Sequence, residues 1–179
     1  MSEKRIALFG GGVRSGKSSF AVALAKGLGM RRAFIATALR SDEEMVERIA
    51  RHRRDRHGEF ATVEEPKKLA EAIHGVDGAD VLVIDCITLW LSNLLMSGES
   101  VEAILHDVDR VVEALAERRF HAVLVTNEVG MSLHPETPLG RAFVEVSGFA
   151  HQRLSRAADE IYFAVMGTIV RLDPVRLPP

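Results

Sequence analysis

Gly11-Gly12-Val13-Arg14-Ser15-Gly16-Lys17-Ser18 fits the spacing G-x-x-x-x-G-K-[ST], and each residue type in it has a task on a polyphosphate. Glycines let successive backbone N–H groups turn inward around a β-phosphate. Lys17 adds a point charge at the β/γ oxygens, and the Ser18 hydroxyl can ligand Mg²⁺. The chemistry is the binding of a nucleoside triphosphate. Asp85 suits the same site, because it closes the apolar run Val81-Leu82-Val83-Ile84, where a carboxylate completes Mg²⁺ coordination beside such a loop. Its competing role is to cap a helix beginning near Thr88. The order of strand and loop favours metal or water positioning.

The segment Asp42–Arg56 is dense in cations. On a helix, Arg48, His52 and Arg56 fall at i, i+4 and i+8 on one face, while Met45 and Ile49 belong to an apolar stripe. An imidazole among guanidiniums has its cationic form disfavoured and stays nucleophilic near pH 7, and the same guanidiniums can neutralise a triphosphate and a pyrophosphate leaving group. That would suit attack on an α-phosphorus. By spacing alone, such a pattern is more often a solvated basic face. The remaining histidines, at 57, 74, 106, 121, 134 and 151, form no pair with metal-ligand spacing in a convincing motif.

Elements that would position these groups follow from the periodicity. Short apolar runs at Ile6–Phe9, Ala33–Thr37, Val81–Asp85, Ala122–Thr126 and Ile161–Val165 alternate with helical patterns at Gly16–Leu28, Asp42–Arg56, Lys67–Ile73, Thr88–Met96, Val101–Arg119 and Leu139–Ala158. This is a βαβ arrangement and predicts an α/β fold of the P-loop type, with three layers and a mostly parallel sheet covered by helices on both faces. Thr168–Leu172 follows the preceding strand after only Met166 and Gly167, too short for a crossover, and so pairs antiparallel at the edge. A further short strand is expected at Phe60–Val63, followed by the acids Glu64-Glu65 that suit a helix N-terminus. Ligands of open α/β sheets gather at the carboxyl ends of strands, which draws notice to Thr37, Asp85 and Asn127-Glu128 as well as to the glycine-rich loop. Trp90, amid Leu89, Leu91, Leu94 and Leu95, reads as core.

The 179 residues, 47% of them hydrophobic, suffice for one domain over 1–179. A formal net charge of −2 argues against a general nucleic-acid binder, although Arg48, Arg51, Arg53, Arg54 and Arg56 form a local basic patch suited to phosphates. The lone Cys86 reads as a small core residue in a reducing setting. The charged start Met1-Ser2-Glu3-Lys4-Arg5 does not look like a signal peptide, and Asp85 breaks the longest apolar stretch, so no membrane span and a cytoplasmic location are expected.

Taken in order, GGVRSGKS at 11–18, FIATA at 34–38, DEEMVERIARHRRDR at 42–56, TVEEP at 62–66, DCITLWLSNLL at 85–95, VTNEVG at 125–130 and HQRLSRAADE at 151–160 resemble the bifunctional adenosylcobinamide kinase / adenosylcobinamide-phosphate guanylyltransferase family of cobalamin biosynthesis. The likeness runs almost end to end. It implies two reactions: a nucleoside triphosphate, ATP or GTP, phosphorylates the aminopropanol hydroxyl of adenosylcobinamide, and GTP then transfers GMP to that phosphate through a guanylylated histidine. The family's histidine falls on His52, with Lys17 as the second catalytic residue. Its nucleotide contacts fall on Gly11, Gly12, Val13, Arg14, Ser15, Gly16, Lys17 and Ser18, on Ala36, Thr37 and Ala38, on Arg53, Arg54, Asp55 and Arg56, and on Glu64 and Asp85. Mg²⁺ would fall to Ser18 and Asp85. The resemblance also implies a homo-oligomer, a trimer. The chain departs from the family pattern at His57 and His151, where proline and asparagine are usual, at Phe60 for a common tryptophan, and at Ser132 for a glycine.

Two other readings of the residues stand beside this one. In a simple small-molecule P-loop kinase, Arg48–Arg56 would clamp phosphates and His52 would be incidental. A nucleotide-dependent switch is disfavoured, because neither Asn93 nor Asn127 precedes a lysine and the guanine-reading Asn-Lys-x-Asp element is absent.

Overall fold

The computed structural model describes residues 3–39 and 58–173. The expected helix over Asp42–Arg56, with Arg48, His52, Arg53, Arg54, Asp55 and Arg56, lies outside the described residues, as does His57. The described chain runs β1 (Ile6–Gly11), α1 (Lys17–Leu28), β2 (Arg32–Ala36), β3 (Ala61–Glu64), α2 (Leu69–His74), β4 (Val81–Asp85), α3 (Ile87–Met96), α4 (Val101–Ala116), β5 (His121–Val125), α5 (Pro138–Ala157), β6 (Glu160–Val165) and β7 (Thr168–Leu172). All seven strands form one sheet in the order β3-β2-β4-β5-β1-β6-β7. Every pairing is parallel except β6 with β7. The β6–β7 turn has positive φ at both Met166 and Gly167, the geometry whose twist matches a two-residue hairpin.

The central strands are buried almost throughout because both faces are covered, which explains their continuous rather than alternating apolar runs. Leu8, Ile35, Leu82, Ile84 and Leu124 face the larger layer, built by α2, α3, α4 and α5 around Trp90, Leu91, Ile104, Val108, Val146 and Leu154. Ala7, Phe9, Phe34, Val83 and Val125 face Ala21 and Ala25 of α1, with Phe60 beside them. Three layers result, as the periodicity predicts. Ser100 and Thr137 cap α4 and α5 by accepting from Ala103 N and Gly140 N, so the two longest described helices begin where the sequence supplies a hydroxyl.

The strand order has a direct bearing on the site. β1, which carries the phosphate loop, does not touch β4, which carries Asp85; β5 lies between them. The residues just past β5, Thr126 to Glu128, therefore occupy the gap between loop and carboxylate.

Candidate active site

The loop from Gly11 to Lys17 turns back over the carboxyl end of β1 because two glycines take conformations closed to other residues. Gly11 has φ +147° and Gly16 has φ +91°, the latter as the N-cap of α1. The first turn of α1 thus points its N–H groups at the loop's interior, where the helix dipole favours an anion. Lys17 is buried, and its Nζ donates to the Gly12 carbonyl at 3.0 Å, folding the ammonium over the cradle. Ser15 Oγ is buried without a hydrogen-bond partner among the described residues. A buried hydroxyl normally finds a partner, and a phosphate oxygen in the cradle is the chemistry that suits it.

Asp85 ends β4 in register with Ala36 of β2 and Val125 of β5. The helix that follows has its N-cap at Cys86 and no side-chain capping bond, so the carboxylate is not spent as a cap. Burial pushes the neighbouring Cys86 thiol up to about 11, with Asp85 adding to the rise and Lys17 opposing it. Cys86 itself stays un-ionised and packs in the core, as expected of a lone cysteine.

Thr37, expected at the nucleotide, is wholly buried. Its hydroxyl donates to Cys86 O at 2.7 Å and accepts from Cys86 N at 2.9 Å, tying the end of β2 to the end of β4. Asn93 Nδ2 supports the same corner by donating to Thr37 O at 2.8 Å and Pro66 O at 3.0 Å. Ala36 closes β2 and Ala38 lies just beyond it, while Glu64 ends the edge strand β3 opposite Ala36. The neighbouring Glu65 takes the helix-start task expected of this acid pair, accepting from Lys67 N and Lys68 N, both at 2.9 Å.

The residues after β5 form a second network that the sequence marks only by position. Asn127 N and Nδ2 donate to Thr88 Oγ1 at 2.9 and 3.1 Å, fixing this segment to the start of α3. Glu128 N donates to Gly11 O at 3.0 Å, locking it to the phosphate loop. From α5, His151 brings Nε2 to 2.7 Å from Thr126 Oγ1 and Nδ1 to 3.6 Å from Glu128 Oε2. The sequence could signal Glu128 by its place at a strand's carboxyl end. It had no local signal for His151, which is brought in from 23 residues downstream by the packing of α5.

Among the described residues no three His, Cys, Asp or Glu side chains converge as a metal cage. The hydroxyl and carboxylate of Ser18 and Asp85 are hard oxygen donors of the kind that hold Mg²⁺ together with phosphate oxygens and water, rather than by a complete protein shell. No described helix is long and apolar enough to cross a membrane.

Comparison with known proteins supplies a family and a fold. The model of the family described as cobinamide kinase / cobinamide phosphate guanyltransferase matches residues 7–172. A bifunctional adenosylcobalamin biosynthesis protein, CobP, of Pseudomonas aeruginosa is 37% identical over 158 residues, covering 88% of this chain and 91% of the relative. The bifunctional adenosylcobalamin biosynthesis protein CobU of Escherichia coli is 35% identical over 175 residues, covering 90% of this chain and 96% of the relative. Among solved structures, the RadB recombinase matches with a TM-score of 0.53 at 16% identity, covering 89% of this chain and 73% of that one. A KaiC-like protein of Pyrococcus horikoshii gives 0.52 at 16% identity, with 91% and 72% covered. Both share the fold.

Proposed function

As this chain belongs to the cobinamide kinase / cobinamide phosphate guanyltransferase family, we propose that one triphosphate site, at the carboxyl edge of its sheet, serves both of the family's reactions. The chain is a bifunctional enzyme of cobalamin biosynthesis. Our reading goes further in naming the substrates, ATP or GTP and adenosylcobinamide, and the residues. What supports it is the phosphate cradle that holds Lys17 and a buried Ser15 hydroxyl with no partner among the described residues, with Asp85 ending β4 of the same sheet, in a chain that the family model matches from residue 7 to residue 172.

In the kinase step the aminopropanol hydroxyl attacks the γ-phosphorus; the new O–P bond forms as the bond to the β–γ bridging oxygen breaks. Lys17 stabilises charge that grows on the transferring group and the leaving oxygens, and Gly11, Gly12, Val13, Arg14, Ser15, Gly16 and Ser18 are the loop's nucleotide contacts in this reading. Mg²⁺, held by Ser18 and Asp85, would neutralise phosphate charge when bound. In the guanylyl step an imidazole nitrogen of His52 attacks the α-phosphorus of GTP and pyrophosphate leaves. A phosphate oxygen of adenosylcobinamide phosphate then attacks the same phosphorus, breaks the P–N bond and frees His52. Arg53, Arg54 and Arg56 supply positive charge for the pyrophosphate, and Ala36, Thr37, Ala38, Asp55 and Glu64 complete the nucleotide contacts in this reading. We further read residues 1–179 as a single P-loop nucleotide-binding catalytic domain, cytoplasmic and assembled as a homo-oligomer, a trimer by resemblance; light scattering on the purified protein tests the last point.

The deciding experiment follows GTP labelled at the α or γ phosphate. A phosphoramidate on His52 should hold α-label through an alkaline wash and lose it in mild acid, where protonation of the P–N nitrogen makes it a good leaving group. His52→Ala should abolish guanylyl transfer and leave phosphorylation of adenosylcobinamide in place. Lys17→Ala should slow both reactions, on the order of 10²-fold or more. If His52→Ala still carries acid-labile α-label, the nucleophile is elsewhere. If wild-type protein transfers γ-label to the substrate but never retains α-label, it is a simple kinase.

A further inference from the structure

We propose that His151 is a positioning residue for the kinase step: with Thr126, it holds Glu128 beside the phosphate loop as the group that takes the proton from the acceptor's hydroxyl. This rests on the functional reading above and names a base for its first reaction. The arrangement is built from three elements. Thr126 is locked by its backbone N–H, which donates to Phe9 O at 2.9 Å, and Glu128 by its bond to Gly11 O. His151, on the inner face of α5, completes the group through the contacts to Thr126 Oγ1 and Glu128 Oε2.

The carboxylate's two oxygens have different duties. Oε1 accepts from Gly130 N at 2.6 Å, which fixes the side chain. Oε2 faces the imidazole across 3.6 Å, wider than a hydrogen bond, and so retains lone pairs for another donor. That donor has room to arrive. A cavity of about 210 Å³ opens here between α5 and the sheet, with an apolar floor of Leu8, Ile161 and Phe163 and with Thr126, Glu128 and His151 at its polar side. A short alkyl arm ending in a hydroxyl matches that division of apolar floor and acidic rim. In the transfer, the hydroxyl oxygen bonds to the γ-phosphorus and its proton passes to Glu128 Oε2. The bond from that phosphorus to the bridging oxygen breaks, and its electron pair leaves with the nucleoside diphosphate.

In the neutral imidazole Nε2 accepts from the Thr126 hydroxyl and Nδ1–H is turned toward Glu128, which leaves Oε2 free of an ion pair. Burial keeps its pKa below the ordinary histidine range, against the opposing pull of Glu128. No other charged group among the described residues contributes to that balance. β1 and α3, packed near α5, carry no titratable side chain. On α4, Asp109 pairs with Arg153 at 2.9 Å, and Arg110 bridges Glu71 and Asp107. Glu102, His106 and Glu113 are the other titratable side chains of α4, and from β6 Tyr162 lines the same cavity with its hydroxyl donating to Glu160 Oε2 at 2.9 Å. In acid the imidazole gains a second N–H. Nε2–H then donates to Thr126 Oγ1, and the charged ring claims Glu128 Oε2 as an ion pair, so the kinase should slow as His151 protonates.

The test measures single-turnover phosphorylation of adenosylcobinamide from γ-labelled triphosphate between about pH 5 and about pH 9, with rates normalised to sites that take α-label. His151 is followed alongside by NMR titration of its ring protons. Wild-type protein should show an acid limb that tracks the His151 titration. His151→Asn, which keeps hydrogen-bonding groups but cannot titrate, should retain a rate within about threefold at high pH and carry its acid limb to lower pH. Glu128→Gln should lose about 10²-fold on the high-pH plateau, with the deficit narrowing along the acid limb. An acid limb that stays in place in His151→Asn, or a Glu128→Gln protein at the wild-type rate, would overturn the proposal. Wild-type protein that takes α-label but never phosphorylates adenosylcobinamide would instead refute the functional reading on which the proposal stands.

Discussion

Gly11→Ala tests how tightly the phosphate loop is tied to the strand behind it. Gly11 is the last residue of β1 and pairs with Ala164 of β6. A Cβ built there would sit 2.5 Å from Ala164 O, 3.0 Å from Ser15 Oγ and 3.2 Å from Ala164 Cβ. Ordinary contact begins near 3.5 Å, so β6 or the loop must move by about 1 Å. The φ of +147° adds a conformational cost of about 1–3 kcal/mol for any L side chain. Overpacking against a backbone carbonyl adds about 1–3 kcal/mol more. At roughly 2–4 °C per kcal/mol for a chain of this size, Tm should fall by roughly 5–20 °C. Gly16→Ala is the internal control: its φ of +91° carries the conformational cost, but the nearest atom to its Cβ is a Phe20 ring carbon at 3.5 Å. Its Tm should fall by less. Scanning calorimetry with and without triphosphate adds a second measure. A ligand at about 100 times its Kd stabilises a folded protein by about 2.7 kcal/mol, and Gly11→Ala should lose most of that increment because its loop N–H groups no longer converge. A Gly11→Ala protein that melts with the wild type, or above Gly16→Ala, would refute the steric argument.

Two further outcomes are expected. Asp85→Asn keeps the shape at the end of β4 but removes the charge, so activity titrated against Mg²⁺ should shift to higher concentration with Tm nearly unchanged, since no helix cap is lost; an unmoved titration would remove Asp85 from the metal. His121 is buried, accepts from Arg5 N at 3.1 Å, and has its pKa lowered first by burial and then by Lys4 and Arg5. Below about pH 6.5 the unfolded chain therefore binds more protons than the folded one, and stability should rise with pH through that window. Tm measured between about pH 5 and about pH 7 should climb, with a smaller slope in His121→Asn, and equal slopes would show that His121 does not drive the change.

What the sequence alone determines is whatever a short window can encode. The G-x-x-x-x-G-K-[ST] spacing needs only eight consecutive residues, and Ser15, Lys17 and Ser18 meet one another without help from the rest of the chain. Continuous apolar runs such as Val81–Ile84 already say that a strand is covered on both faces, and the two-residue gap at Met166-Gly167 already says that β7 turns back antiparallel. Asp85 could be picked out for the same reason, because it ends a strand. The ordered motifs extend this to the family, and the match over residues 7–172 agrees.

Strand order is a different matter. Nothing within any one segment says that β5 inserts between β1 and β4, because that choice is made by helices packing on the two faces and by crossovers that span dozens of residues. Placement of β5 there is what sets Glu128 against Gly11 and lets α5 deliver His151 to Thr126. Thr37 shows the same limit from the other side. Its position at a strand end is legible in the sequence, yet only the meeting of β2 with β4 spends its hydroxyl on both polar groups of Cys86. Local residue order specifies the parts that hold a phosphate, whereas contacts between residues far apart in the chain decide which side chains stand around it. Such contacts form only when the whole core closes, since the entropy of ordering distant segments is recovered only through burial of the surfaces between them.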